Sequence, residues 1–231
     1  MITIQGFQKT FAYMSLFWEG MACTVLLSAL TVLFGFLLAL LLASARMSKI
    51  YPLKWLANIY VEVMRATPMV VQLFIIYYVV LGDISLPAIR IFGFIRFERM
   101  VPGVVALSLN SAAYLSEIIR SGIQSIDHGQ TEAARSLGMS QMQNMFHIVL
   151  PQAIKNILPS IANEFVTIIK ESSICYTIGV QEIMSAVKAA QSTYQIAEPL
   201  LIAAAMYFCL TFPTSKIIAY FERRMSRGDK R

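Results

Sequence analysis

The side chains best suited to chemistry are the polar groups that interrupt two long apolar segments. The segment from residue 156 to 169 contains Asn163 and Glu164, and Thr167 follows within one helical turn of both. Side chains three and four positions apart share a helix face, so these groups form one polar stripe. An ionised Glu at the centre of a bilayer costs about 2.5–3.5 kcal/mol on insertion scales. We therefore expect this stripe to face protein or a wet cavity.

A second polar stripe is predicted on the preceding apolar segment. Asn110, Tyr114 and Glu117 are spaced by four and three residues, again on one helix face. The two stripes indicate either a lined pathway or hydrogen bonds that only hold helices together. Both interpretations stay open for the two asparagines, whereas a carboxylate such as Glu164 is expensive in a purely structural role, which favours function. Glu117 and Arg120, three residues apart, are expected to form a structural ion pair.

The rest of the sequence indicates no energy source and no metal site. It contains no Gly-x-x-x-x-Gly-Lys-Ser/Thr phosphate loop, so ATP binding of that kind is not expected. His128 and His147 are isolated from ligand partners, and Cys23, Cys175 and Cys209 have neither metal-binding nor disulfide spacing. Three classes remain. They are a permease driven by a separate ATPase, a self-sufficient carrier or channel, and, least favoured, a membrane-embedded enzyme.

The composition is that of a membrane protein with a single domain. Of the 231 residues, 57% are hydrophobic and 14% are charged, which is too few charges for a soluble domain of this size. The net charge of +6 is spread over the ends of apolar segments, which argues against a nucleic-acid partner. Residues 1–19 lack a signal-peptide pattern and are predicted to be an amphipathic lead-in at the membrane interface.

Five apolar segments are long enough to be predicted as transmembrane helices. The predicted fold class is an all-α membrane protein, one permease domain over residues 1–231 with a five-helix core over residues 20–220. Glu62 and Arg65 interrupt the second segment. The predicted spans are residues 20–45, about 56–81, 101–119, 153–173 and 199–220.

The distribution of Lys and Arg sets the predicted orientation. With the C-terminal tail inside, the three inner segments hold four, three and six of the 19 cations, and the outer segments hold the other six. The opposite orientation would invert this bias. The N-terminus is therefore predicted outside, with the loop 122–151 and the basic tail 221–231 in the cytoplasm.

The cytoplasmic loop is predicted to form two short helices around a glycine corner. Asp127 with Gln130 has the spacing of a capping box and would begin the first helix, and Ser140 with Gln143 would begin the second. Gly138 lies between them, where glycine accepts the left-handed conformation at little cost. Such a corner on the surface is suited to a groove in a soluble partner.

The same loop resembles the cytoplasmic loop of ABC importer permeases. The Glu-Ala-Ala triplet at residues 132–134, the glycine four residues later and Ile-x-Leu-Pro at residues 148–151 match its fixed positions. Residues 65–73 resemble the Arg-Gly-Thr-Pro stretch of the polar amino acid permeases, with Ala66 in place of the usual Gly. Residues 107–138, 163–165 and 170–173 are similar to the same subfamily. The similarity extends over about residues 15–225.

This resemblance implies a type I importer in the cytoplasmic membrane of a bacterium. Such an importer has two five-span permeases, two ATPases that bind ATP and Mg²⁺, and an extracytoplasmic binding protein. It implies no cofactor and no metal in this chain. The implied substrate is a polar amino acid, with a lean towards a basic one (arginine, lysine or histidine) or an amide (glutamine). Whether the second permease is a copy or a paralogue stays open.

The resemblance also assigns residues to two roles. The coupling helix is implied near residues 131–137, and the pathway is implied on the third and fourth spans. The implied ATPase-coupling residues are Glu132, Ala133, Ala134, Leu137 and Gly138, and the implied pathway residues are Asn110, Tyr114, Asn163, Glu164 and Thr167.

Overall fold

The computed structural model describes residues 2–226 as a helical protein with one short β-ribbon. A π-helical turn at Ile75–Val80 continues α4, another at Met145–Val149 joins α7 to α8, and a 3-10 helix at Ser172–Ile178 follows α8. The elements in chain order are α1 (Ile4–Phe11), α2 (Met14–Met47), α3 (Tyr51–Ala66), α4 (Met69–Phe74), β1 (Arg90–Ile91), β2 (Ile95–Arg96), α5 (Phe97–Gln124), α6 (His128–Ser136), α7 (Gln141–Asn144), α8 (Leu150–Glu171), α9 (Ile183–Tyr194) and α10 (Glu198–Ser226).

The predicted amphipathic lead-in is helical over most of its length. Thr3 caps α1, because its hydroxyl accepts a hydrogen bond from the backbone N–H of Gly6 at 3.0 Å. The long helix α2 begins at Met14 and runs for 34 residues. Residues 1–19 therefore contain α1 and the first turns of α2. At the other end, α10 continues into the predicted tail as far as Ser226, and tail residues 227–231 lie outside the described residues.

The second predicted span is two helices and not one. Thr67 adopts an extended conformation (φ −109°, ψ 144°), as expected for a residue that precedes proline, here Pro68. The helical segments Tyr51–Ala66 and Met69–Val80 consequently meet at an angle of 110°.

The core lies between α2, α5 and α8. Small side chains on the three helices are almost fully buried and let the backbones approach closely. Ser108 of α5 donates its hydroxyl to the carbonyl of Thr31 on α2 at 3.3 Å. The buried small residues hold α2, α5 and α8 together, so that the polar faces of α5 and α8 meet. The small buried residues are Ala39, Ala43, Ala112 and Ala153.

Two further elements were not predicted. Residues 90–96 form an antiparallel ribbon in which Ile91 pairs with Ile95. The connection between the predicted fourth and fifth spans contains α9, which is capped by Glu182. The Glu182 carboxylate accepts a hydrogen bond from the backbone N–H of Ser185 at 3.0 Å. This hydrogen bond satisfies one of the backbone N–H groups that have no partner within the first turn of a helix.

Within residues 2–226, two helices are long and apolar enough to cross a membrane, namely Met14–Met47 and Glu198–Met225. A third crossing is counted if the bent pair Tyr51–Ala66 and Met69–Val80 forms one span. Helices α5 and α8 are 28 and 22 residues long, which is sufficient length, but both carry the polar groups noted above.

Candidate functional site

Glu164 lies on the face of α8 that meets α5. Its carboxylate is half-buried, and Oε1 accepts a hydrogen bond from the hydroxyl of Ser111 at 3.2 Å. Thr167 donates its hydroxyl to the carbonyl of Asn163 at 3.3 Å, within the same helix. Asn163 is exposed. The predicted stripe on α8 therefore exists, and only its carboxylate is hydrogen-bonded across to α5.

The facing side of the site holds a cation that the sequence reasoning did not assign to it. Tyr114 of α5 is 39% exposed, and the guanidinium of Arg65 lies over its ring, 5.5 Å from the ring centroid. Arg65 is in the last turn of α3, just before the break at Pro68. A charge inside a predicted span is itself a signal of function. That signal would have identified Arg65.

Asn110 is brought to the break between α3 and α4, away from Glu164. Its side-chain amide is buried and donates to Gln72 Oε1 at 2.9 Å and to the carbonyl of Met64 at 3.3 Å. Gln72 in turn donates to the carbonyl of Thr67 at 3.0 Å. In this structure, Asn110 has the helix-holding role that was one of its two interpretations.

Glu117 forms a charged junction near the C-terminal end of α5. The predicted pair with Arg120 is confirmed, with Arg120 Nε donating to Glu117 Oε2 at 3.3 Å. A second cation, Arg46 of α2, was not foreseen, and its Nη1 lies 2.6 Å from Glu117 Oε2. Arg46 also donates from Nε to Asn58 Oδ1 of α3 at 2.8 Å. The junction thus joins three helices beside the cytoplasmic loop.

The first helix of the cytoplasmic loop begins at Asp127 as predicted, but its cap differs from the prediction. The Asp127 carboxylate accepts from the backbone N–H of Gly129 at 2.6 Å. The N–H of Gln130 bonds instead to the backbone carbonyl of Asp127 at 3.1 Å. The capping box of Asp127 with Gln130 is therefore wrong, because the side chain is already bonded one residue earlier. Helix α6 spans His128–Ser136, which places the implied coupling helix slightly earlier than residues 131–137.

The glycine corner is confirmed. Gly138 has φ +84°, and an added Cβ would meet nothing within 4 Å. The capping box that begins α7 is complete: Gln143 N–H donates to Ser140 Oγ at 3.2 Å, and Ser140 N–H donates to Gln143 Oε1 at 2.8 Å. The chain therefore changes direction at Gly138 and resumes as a helix at once.

The corner presents apolar side chains to its surroundings. Leu137 is 85% exposed, and Met142 and Phe146, which the sequence reasoning did not assign, are 67% and 56% exposed. Ala134 is buried, so it packs inward, whereas Glu132, Ala133 and Gly138 are exposed. Leu137, Met142 and Phe146 therefore add exposed apolar surface to the loop around the corner.

Comparisons with known proteins identify the family. Residues 32–227 match the model of the binding-protein-dependent transport system inner membrane component. The chain is 40% identical over 224 residues to the arginine transport system permease protein ArtQ of Bacillus subtilis (strain 168), which covers 96% of this chain and 98% of that protein. It is 39% identical over 208 residues to the putative glutamine transport system permease protein GlnP of Rickettsia conorii, with 90% and 91% of the two chains covered.

A solved structure agrees with these relatives. The crystal structure of an amino acid ABC transporter with histidines matches with a TM-score of 0.87 and 42% identity, over 97% of this chain and all of that one. The resemblance to the polar amino acid permeases and the helical permease fold are thereby confirmed. Partners of two kinds follow from the family description, namely ATPase subunits and a binding protein. The chain belongs to the binding-protein-dependent transport system inner membrane components, and it is a non-catalytic permease of a bacterial ABC importer in the cytoplasmic membrane.

Proposed function

We propose that this permease moves a polar amino acid, basic or amide in type, along the face shared by α5 and α8, and that Glu164 contacts it on the way. The observation that carries the proposal is a half-buried carboxylate without a cationic partner. Among residues 2–226, Glu164 forms no ion pair, and its side-chain hydrogen bond comes from Ser111. The charge of such a carboxylate is compensated only when a cation or water reaches it.

Arg65 supplies the opposite charge on the same face. Its guanidinium stacks on Tyr114, and it forms no ion pair with a carboxylate in the described part of the chain. Guanidinium groups bind carboxylates in a two-bonded geometry. Arg65 is therefore suited to the α-carboxylate of an amino acid, while Glu164 takes its α-ammonium or a cationic side chain. Tyr114, Asn163 and Thr167 line the same route.

The names of the relatives support the substrate class. ArtQ is described as an arginine permease and GlnP as a putative glutamine permease, which correspond to the basic and amide alternatives. A carboxylate at Glu164 serves either substrate, because both carry an α-ammonium group.

The topology and assembly form part of the same proposal. The single permease domain of residues 1–231 crosses the membrane five times, with its N-terminus outside and its C-terminus in the cytoplasm. It works with two ATPases that bind ATP and Mg²⁺, a second permease and an extracytoplasmic binding protein. The surface formed by Glu132, Ala133, Leu137 and Gly138, backed by the buried Ala134, docks on the ATPase.

Glu164→Gln tests the pathway. The change keeps the shape and removes the charge, so uptake of the best substrate should fall about tenfold or more, as expected for a charge-assisted hydrogen bond of about 1.5–3 kcal/mol. Assembly and basal ATPase activity should survive. Asp83→Asn, which removes an exposed carboxylate from the loop before β1, should transport normally. Wild-type uptake by Glu164→Gln would exclude Glu164 as ligand and gate, and failure to assemble would instead indicate a role in joining the helices.

Cysteine labelling tests the topology. In a Cys209→Ser background, Arg224→Cys should resist a membrane-impermeant thiol reagent added to intact cells, whereas Gln8→Cys should react. Comparable labelling of the two positions would overturn the five-span arrangement with the N-terminus outside.

A further inference from the structure

An apolar groove lies between α2 and α5 and ends at the β-ribbon. Its volume is about 580 Å³, within the range of about 300–1,000 Å³ that is typical of sites for small molecules. Its apolar wall includes Leu30, Phe34, Leu38, Ile91, Phe97 and Leu109. Among the described residues, the one polar side chain in the wall is that of Ser108, whose hydroxyl is already donated to the carbonyl of Thr31 at 3.3 Å. The groove is therefore suited to a hydrocarbon chain and not to a polar solute.

The groove has about the length of one leaflet of a bilayer. Its wall on α5 extends from Phe97, the first residue of that helix, to Leu109. At a rise of about 1.5 Å per residue this distance is about 18 Å. Half of a hydrocarbon core of about 30 Å is about 15 Å. A single acyl chain that lies along the groove consequently fills it from one end to the other.

The β-ribbon closes one end of the groove and has one apolar and one charged face. Ile91 lines the groove, and its cross-strand partner Ile95 is buried. Arg90 and Arg96 are also cross-strand partners, and both are exposed. Because successive side chains of a strand point to opposite faces, the two arginines lie on the face turned away from the groove. The ribbon thus places cations where the apolar wall ends.

One of these two cations has no counter-charge. Like charges directly opposite each other in a sheet are destabilising. Glu98 compensates Arg96, whose Nε lies 2.8 Å from Glu98 Oε1. Arg90 forms no ion pair with any group in residues 2–226. The ribbon is therefore complementary to an anion, and phosphate is an anion that guanidinium groups bind strongly.

We propose that this groove binds the acyl chain of an anionic phospholipid, whose phosphate is held by Arg90 and Arg96. The hydrocarbon chain needs no hydrogen bond from the wall, and the phosphate supplies the negative charge that the ribbon lacks. The lipid site is separate from the polar face that carries Glu164. A lipid in the groove contacts α2, α5 and the ribbon at once, so it holds these three elements together.

Mass spectrometry of the intact complex tests the groove. The complex is purified in detergent, stripped of lipid and titrated with dipalmitoylphosphatidylglycerol, and the bound lipids are counted. Val105 is in the wall, so Val105→Trp fills the groove and should remove one bound lipid per copy of this chain. Val101→Trp fills the same groove should the first variant fail to assemble. Val25→Trp, on an exposed part of α2 outside the wall, should bind as many lipids as the wild type, and equal counts in all variants overturn the site.

Charge removal tests the phosphate. Arg90→Gln should raise the concentration of dipalmitoylphosphatidylglycerol that gives half-occupancy about tenfold, the loss expected for a charge-assisted bond. Lys54→Gln removes an exposed cation outside the groove and should change nothing. Dipalmitoylglycerol, which has the same chains and no phosphate, should bind the wild type at least about tenfold more weakly and should not distinguish it from Arg90→Gln. Equal binding of the two lipids by the wild type, or equal behaviour of the two variants, overturns the proposal.

A second permease subunit is the alternative occupant of the groove, and cross-linking distinguishes it from a lipid. Phe34 lies in the wall and is 50% exposed, so the photoreactive p-benzoylphenylalanine can replace it with little change in shape. The assembled complex is illuminated in vesicles of dipalmitoylphosphatidylglycerol. We expect an adduct with the phospholipid. An adduct with a second permease subunit overturns the lipid site, and neither result depends on which solute the complex imports.

Discussion

The glycine corner at Gly138 and the polar face between α5 and α8 are built in opposite ways. At the corner, the caps of α6 and α7 are hydrogen bonds between residues two or three positions apart, and the turn depends on one glycine. On the polar face, Ser111 and Glu164 are 53 residues apart, and Arg65 arrives from a third helix. The corner owes its shape to local conformation, whereas the polar face exists only after the helices have packed.

Gly138→Val should have the largest effect, because it replaces the residue of the corner that has a positive φ. A β-branched residue at φ +84° is strained by about 1–3 kcal/mol, although an added Cβ meets no neighbour. We expect the protein to insert into the membrane but to lose ATP-driven uptake in vesicles. Gly138→Asn should retain most uptake, since Asn tolerates the left-handed region.

Gly93→Val is a matched control for that substitution. Gly93, in the ribbon turn, has φ +80° and equally open surroundings, so valine there meets the same backbone strain far from the corner. We expect uptake to persist in Gly93→Val. Full uptake by Gly138→Val, or equal losses in both variants, would contradict the coupling role of the corner.

The corner and the polar face were predictable from the sequence to different extents. The glycine corner and the capping box of Ser140 with Gln143 follow from residue types at fixed spacing, and the structure contains both. The error there is small, since Asp127 bonds Gly129 and not Gln130. Such features are predictable because each involves only a few successive residues.

The polar face was predictable only in part. Periodicity placed Glu164 and Tyr114 on one face of each helix, but it did not reveal which residues of other helices lie opposite. The residues opposite depend on the break at Pro68. The break turns the end of α3 so that Arg65 lies over Tyr114, and it brings Gln72 within hydrogen-bond distance of Asn110. The Thr-Pro dipeptide was a signal for the break, whereas the direction of the bend is set by packing.

Glu117→Gln tests how much a long-range contact contributes to stability. The substitution leaves Arg46, whose side chain is 10% exposed, without its counter-charge. Because the pair is only partly buried, we expect a loss of about 1–3 kcal/mol, less than for a fully buried pair. Thermal melting of the purified complex should show a clear decrease in melting temperature.

An exposed ion pair is the control for that loss. Arg96 and Glu98 lie 2.8 Å apart near the start of α5, and the Arg96 side chain is 46% exposed. Surface pairs contribute about 0–1 kcal/mol, so Glu98→Gln should shift the melting temperature little. Equal shifts in the two variants would show that the three-helix junction stabilises no more than a surface pair.

Glu182 makes both a local hydrogen bond and one to another helix. It caps α9 locally through Ser185, and its Oε2 accepts a hydrogen bond from the hydroxyl of Tyr207 on α10 at 2.6 Å. Glu182 lies in the connection between the predicted fourth and fifth spans, and its side chain is fully buried. Burial raises the pKa of Glu182 to about 7, although the hydrogen bonds from Tyr207 and from backbone N–H groups oppose the rise.

A pH dependence of stability follows from this raised pKa. The carboxyl ionises near pH 4.5 in the unfolded chain and near pH 7 in the folded one, so the folded state binds the extra proton between these values. Its contribution to stability is fully present below about pH 4.5 and is lost as the pH rises to about 7. The melting temperature should therefore decrease between pH 5 and pH 7.5, and Glu182→Gln, which does not titrate, should flatten that decrease. Asp83→Asn, which removes an exposed carboxylate, should keep the wild-type slope, and an unchanged slope in Glu182→Gln would show that the titrating group lies elsewhere.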